Sequence, residues 1–212
     1  MTGSSSTREP WQPLRWPDAP EAVAALRRWL DDPDQPLYAL DVDLRGADLS
    51  GGPFADGWLS RSNLADAVLR GTELWGAHCE ETRFIRANLV DADLVKAVLH
   101  GASFVRAQLI GANLTGADAL GARFTEADLR RANLAGAFFT DADFTRADLS
   151  GTSLTNTSFR GAVLVDATVS GMTGTVLGPT EVVPGLKLDG AELEQWFGAR
   201  GAAVSVLRTQ SV

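Results

Sequence analysis

From Leu44 to Val169 an apolar residue falls on every fifth position without insertion or deletion, giving 26 consecutive pentapeptides. Sixteen are centred on Leu and seven on Phe, and the residue two places before each centre is Ala in 18 of the 26. Each unit therefore offers one bulky and one small apolar position. A period of five matches neither the 3.6 of an α-helix nor the 2 of a flat strand. Repetition of this kind reads instead as stacked coils that bury one another's faces. The centres must point inward. Burying one gains roughly 1.5–3 kcal/mol, whereas ordering each of the five residues costs about 1.5 kcal/mol. No single unit folds alone, so hydrogen bonds between coils and the second inward residue must supply the difference. Thr72, Thr82, Thr152 and Thr157 replace the small residue at four units, and Val42 does so at the first. Asp, Asn and Gly on either side of the centres suit tight turns.

The flanks read differently. Residues 1–17 are expected to be a flexible segment, with Trp11 and Trp16 as its anchors. Over 18–41, Asp18 and Glu21 have the spacing of a capping box, Pro20 suits a first turn, and Pro33 stops the helix. Ala22, Val23, Leu26, Trp29 and Leu30 fall on one stripe, as a cap over the open end of the stack requires. The repeats occupy 42–171. Residues 172–185, with three Gly and two Pro, read as a connecting loop. After it, Asp189 and Glu192 give a second capping-box pattern, Leu188 and Leu193 the staple positions, and Gly201 a stop. The stretch from Ala202 to Leu207 has strand character. The segment 172–212 thus reads as loop, helix and strand.

The runs Ala-Asn-Leu-Thr-Gly (112–116) and Ala-Asp-Leu-Ser-Gly (147–151) resemble the A(D/N)LXX signature of the pentapeptide-repeat family. The resemblance spans about three-fifths of the chain. It implies an all-β solenoid: a right-handed quadrilateral β-helix, one pentapeptide per side, with short N- and C-terminal helices added here. Some six and a half coils at about 4.8 Å would make a rod roughly 30 Å long. The ending Leu-Lys-Leu-Asp-Gly-Ala-Glu-Leu-Glu-Gln-Trp-Phe is similar to the C-terminal segments of the Qnr and MfpA quinolone-resistance groups. That likeness implies a homodimer, joined through Leu188, Leu193, Trp196 and Phe197. It also implies imitation of a DNA duplex before a type II topoisomerase such as DNA gyrase. Qnr-type chains often interrupt the coil with loops; this sequence does not, and in that respect it looks more like MfpA.

Charge tests the imitation. The chain carries 27 acids against 19 Lys and Arg, a net −8, which argues against direct binding of nucleic acid or an anionic membrane. Sorted four units to a coil, the two sides centred on Phe54 and Leu59 hold Asp56, Glu73, Glu80, Glu81, Asp93, Asp118 and Asp141 against three bases. The other two sides hold nine charges of each sign. The acidic half is the candidate partner surface for a topoisomerase. An alternative is an interaction scaffold with no topoisomerase role, using an apolar belt of Trp75, Ile85, Val90, Val95, Val105 and Ile110, with Val98 and Leu120 beside it. The competing reading of that belt is ordinary strand preference for β-branched residues.

Chemistry-bearing residues are few. The one cysteine, Cys79, is a repeat centre and reads as core, excluding a disulfide framework. His78 and His100 share a side near Glu80 and Glu81, but one precedes its centre and the other follows it, which favours a solvated surface over a metal site. No nucleophile–base arrangement, phosphate loop or Cys-x-x-Cys appears, so neither catalysis nor a cofactor is expected. No run reaches the ~18 apolar residues of a membrane span, and the first residues lack the pattern of a secretory signal. A cytoplasmic, non-enzymatic binding protein is the expectation.

Overall fold

The computed structural model describes residues 11–207. Backbone accounting explains the architecture. In a typical pentapeptide the centre donates its N–H to a carbonyl one coil ahead, as Leu44 does to Asn63 at 2.8 Å. The residue before the centre donates one coil back (Asn63 to Val42, 2.9 Å), and the second after it donates forward (Gly46 to Ala65, 3.0 Å). The small residue closes a turn onto the preceding centre, as Ala47 does to Leu44 at 3.2 Å. Four of five amides are thus paired within the backbone. The resulting parallel bridges join the residue before each centre to the one twenty positions on, from Tyr38↔Trp58 through Asp148↔Thr168. With one turn per pentapeptide, each coil has four sides, named here after Leu44, Leu49, Phe54 and Leu59.

The turns explain the punctuation. The second residue after each centre has a positive φ, +64° at Gly46 and +57° at Asp91. Glycine enters that region freely, but many corners carry Asp, Arg, Glu or Lys there. Side chains at these corners stack across coils: Asp66 and Arg86 meet there at 2.6 Å.

The fifth amide explains the family signature. At ten units the N–H after the centre is taken by the Asp or Asn side chain before it, for example Val90 by Asn88 and Thr115 by Asn113, both 3.2 Å. The Asp or Asn of A(D/N)LXX is a hydrogen-bonding device, an Asx cap.

Inside, every centre from Leu44 to Val169 is buried. Phe84, Phe104, Phe124 and Phe144 lie one above the next on the Leu44 side, ring centroids 4.8 Å apart and planes within 8° of parallel. Phe139 and Phe159 meet that stack edge-on. The inward threonines keep their hydroxyls satisfied: Thr72, Thr82 and Thr157 donate to carbonyls of the preceding coil and Thr152 to its neighbouring centre, at 2.8–3.2 Å.

Both ends are closed by helices. Helix α1 (Pro20–Asp31) starts with Pro20 in its first turn, but Ala19 is the N-cap and no side chain bonds there, so the Asp18–Glu21 capping box does not form. Ala22, Ala25, Leu26 and Trp29 are its buried residues, Val23 and Leu30 being only half-buried. Trp11 and Trp16 pack against the core; Trp11 donates to the Ser50 carbonyl at 2.9 Å and meets Trp29 and Phe54 edge-on. Of the segment 1–17 expected to be flexible, residues 1–10 lie outside the described residues, while 11–17 are tied to the first coil, Leu14 donating to the Asp48 carbonyl and Asp48 to that of Arg15, both at 2.9 Å.

At the other end the loop reading of 172–185 is wrong. Strand β1 (Ser153–Ser158) pairs in parallel with β2 (Thr173–Leu177), which pairs with β5 (Ala203–Val206), while β3 (Thr180–Val183) forms a hairpin with β4 (Leu186–Leu188). Coiling continues past residue 171 because the backbone ladder needs no pentapeptide register to extend it. Gly174 shows the constraint: at φ +120°, a Cβ there would lie 1.5 Å from the Leu154 carbonyl oxygen, so only glycine fits. Helix α2 (Gly190–Gly198) follows, with Asp189 as N-cap accepting from Gly190.

Leu109→Asp, which places an unpaired charge in the dry core, should abolish cooperative thermal unfolding by circular dichroism. Thr115→Asp, one residue past a centre and outward, should change stability by no more than about 0.5 kcal/mol. Equal tolerance of both would contradict the inward assignment.

Candidate functional site

The four sides share one core but differ outside. Arg–carboxylate pairs concentrate on the Leu44 and Leu49 sides and the corner between them: Arg45–Asp43, Arg86–Asp66, Arg106–Glu126 and Arg130–Asp128 approach to 2.5–2.7 Å. Looser contacts join Arg130 to Asp148 and Arg146 to Asp166, and Arg61 meets Asp41 at the corner after the Leu59 side. These partners lower the carboxyls of Asp66, Asp128 and Glu126 below their ordinary range, each chiefly through the hydrogen bond from its arginine. All keep solvent access on at least one partner, so each is worth little alone.

The seven acids of the Phe54 and Leu59 sides fall where the four-sided count puts them. Glu73 and Asp93 bridge directly to one another on the Phe54 side, and Asp56 lies at its corner. Glu80 and Asp118 lie on the Leu59 side, and Glu81 and Asp141 at its corner. Five of the seven have no ion pair among the described residues; the exceptions are Glu80, 3.5 Å from His78, and Asp118, 2.9 Å from His100. Burial by itself would raise the Glu80 carboxyl, but hydrogen bonds, one from the Ser60 hydroxyl at 2.5 Å, hold it below the usual value. The two histidines engage different carboxylates and do not converge. Among the described residues no group of three or more His, Cys, Asp or Glu is placed to hold a metal ion. Cys79 is fully buried, and burial pushes its thiol well above the ordinary range.

The apolar belt does not form one surface. Ile85 and Val105 lie on the Leu44 side, Val90 and Ile110 on the Leu49 side, and Trp75 and Val95 on the Phe54 side. Each pair is one coil apart and covers itself, leaving all but Trp75 half-buried. These residues form a girdle whose β-branched side chains suit the ladder. The exposed bulky residues gather elsewhere, on the Leu59 side: Tyr38, Leu40, Trp58, Leu120 and Phe138. The belt reading missed four of the five, because the choice was confined to apolar residues flanking centres in the middle coils.

Two of the four expected dimer residues are also corrected. Leu193 and Phe197 have no exposed surface and belong to the protomer's own core, while Leu188 and Trp196 are half-buried against it. Helix α2 is a lid on the last coil. Arg200 covers the Trp196 ring at 4.3 Å from its centroid. The apolar residues left exposed at this end are Val183 and Leu186, on the hairpin.

The sequence profile described as pentapeptide repeats matches over residues 62–101, 102–141, 122–161 and 142–172, and the chain belongs to that family. A β-helix of stacked repeats is the fold. No curated protein sequence matches the chain. Among solved structures, it is similar to full-length QnrB1, a plasmid-mediated fluoroquinolone resistance protein, at 15% identity over 82% of this chain and 94% of that one, with a TM-score of 0.64. A trypsin-treated QnrB1 variant gives 16% identity over 82% and 91%, with a TM-score of 0.61. HetL of the cyanobacterium Nostoc, involved in heterocyst differentiation regulation, gives 27% identity over 70% and 82%, with a TM-score of 0.35. Among the described residues no helix is long and apolar enough to cross a membrane.

The lowered carboxyls set a pH dependence. A group whose folded pKa is depressed stabilises the fold above its unfolded value, about 4, and loses that contribution as pH falls through the folded value. The thermal midpoint should therefore hold near neutrality and decline by several degrees below about pH 4. A midpoint flat down to about pH 2 would remove any role for the arginine pairs.

Proposed function

We propose that this right-handed rod is a non-catalytic binding protein that presents its Phe54 and Leu59 sides to a type II topoisomerase such as DNA gyrase, in place of duplex DNA. The observation that supports this reading is the segregation of charge pairing. Arginines pair with six of the nine acids of the Leu44 and Leu49 sides, two of them loosely, whereas five of the seven acids on the Phe54 and Leu59 sides stand without an ion pair among the described residues. An acidic line along a stiff rod is what a cationic duplex-binding groove would accept. The magnitude is modest. A duplex of the rod's ~30 Å carries about 18 charges, at one per ~1.7 Å, so seven acids supply under half. Binding should accordingly be salt-sensitive and weaker than that of DNA at equal length. QnrB1 has the same fold and is a fluoroquinolone resistance protein, which agrees with this direction.

The test is a gyrase supercoiling assay. Micromolar protein should inhibit supercoiling, and Glu73→Lys with Asp93→Asn, which keeps the cap on the Val95 amide, should raise the required concentration about tenfold without lowering the melting midpoint. Unaltered supercoiling at micromolar protein would end the topoisomerase reading.

A further inference from the structure

The Leu59 side breaks the rule that the other three keep. Each of those retains three or four Asx caps on the amide after the centre; the Leu59 side has none. Before its centres stand Trp58, His78, Val98, Asp118, Phe138 and Ser158, joined by one unbroken run of parallel bridges. Its single Asx residue, Asp118, is turned to His100. A repeat that gives up a stabilising cap to display bulky side chains departs from local consistency where function most often explains the departure. The exposure is large: Tyr38 57%, Phe138 53%, Leu120 44% and Trp58 37%. The aromatic end is preorganised, with Tyr38, Trp58 and His78 stacked in series at 6.3 and 4.1 Å between centroids.

The layout has three parts along the rod axis: an aromatic end at Tyr38 and Trp58, an acidic middle at Glu80 and Asp118, and an apolar end at Leu120 and Phe138. Trp58 and Phe138 are four coils apart, about 19 Å at the spacing of strands. An α-helix covers that distance in about 13 residues. An extended strand laid along the axis does not fit, because outward amides recur once per coil, every ~4.8 Å, whereas carbonyls on one edge of a strand recur every ~6.6 Å. A helix needs no backbone partner from the surface. We infer that the Leu59 side docks an amphipathic α-helix of another protein, with large apolar residues at both ends of one face and Lys or Arg between them. The cation sits over Glu80 and Asp118, whose facing groups are His78, His100 and the Ser60 hydroxyl. The bases nearest this side, Arg61 and Arg160, lie at its edge and far end, and Arg61 is held by Asp41. This surface shares the Leu59 side with the topoisomerase reading but rests on other residues: Glu80 and Asp118 face histidines, whereas that reading rests on the acids that stand without an ion pair, Glu73 and Asp93 among them.

The test uses fluorescence anisotropy with a labelled helical peptide of about 18 residues, Leu at both ends of one face and Lys in its middle. Saturable binding is expected, weakened about tenfold or more by Phe138→Ser and likewise by Glu80→Gln with Asp118→Asn. Trp75→Ser, exposed on the Phe54 side, should leave it unchanged, and the peptide with Glu for Lys should not bind. All variants should unfold cooperatively near the parent midpoint. Absence of saturable binding, or binding indifferent to Phe138 and the two carboxylates, overturns the inference. So does sedimentation showing that Phe138→Ser converts a dimer into a monomer, since the side would then join two copies of this chain.

Discussion

The parallel hydrogen-bond ladder between residues twenty apart is the constraint from which the other features follow. Once the centre of one coil donates to the next, as Leu89 does to Gln108 at 2.7 Å, each side chain is stacked on those of its neighbours above and below. Inside, that stacking turns Phe84, Phe104, Phe124 and Phe144 into a column of parallel rings. Outside, it brings Arg86 onto Asp66 and Arg106 onto Glu126. The exposed aromatic series from Tyr38 to His78 is the same effect where the stacked side chains are rings.

The core was legible because the period forces it. A strict five-residue alternation of bulky and small apolar residues admits few other burials, and every centre proved buried. The ends were harder to read. The capping box at Asp18 failed because Ala19 became the N-cap, so spacing alone did not place the helix start. The stretch 172–185 lost its pentapeptide register yet continued the coil, since β2 and β5 are held by backbone bonds that are indifferent to side-chain period. Leu193 and Phe197 carried an apolar stripe that a lid and a dimer face display equally. Only their burial within the protomer distinguishes the two.

The outer surface was partly legible. Counting four units per coil sorted the acids by side, because i±20 neighbours follow directly from the repeat. It did not show which acids the arginines hold, since pairing takes place both within a side and across coils. The apolar surface was missed for a related reason. Residue type pointed to Val90, Val95 and Ile110, but their branched side chains shield one another. The exposed group on the Leu59 side is instead marked by what its sequence lacks: an Asp or Asn before the centre that is free to cap the following amide. Those substitutions at Trp58, His78, Val98 and Phe138 are visible in the sequence once the purpose of the Asx residue is known.

The most direct test of the twenty-residue register is excision of one whole coil, residues 102–121, compared with excision of residues 102–119. Removing the full coil returns every later residue to its own side, and the shortened chain should still unfold cooperatively, with the β-rich circular dichroism of the parent. Removing two residues fewer turns the later centres outward, and that chain should show no cooperative transition. If both shortened chains unfold alike, the coil-to-coil ladder is not what holds the molecule together.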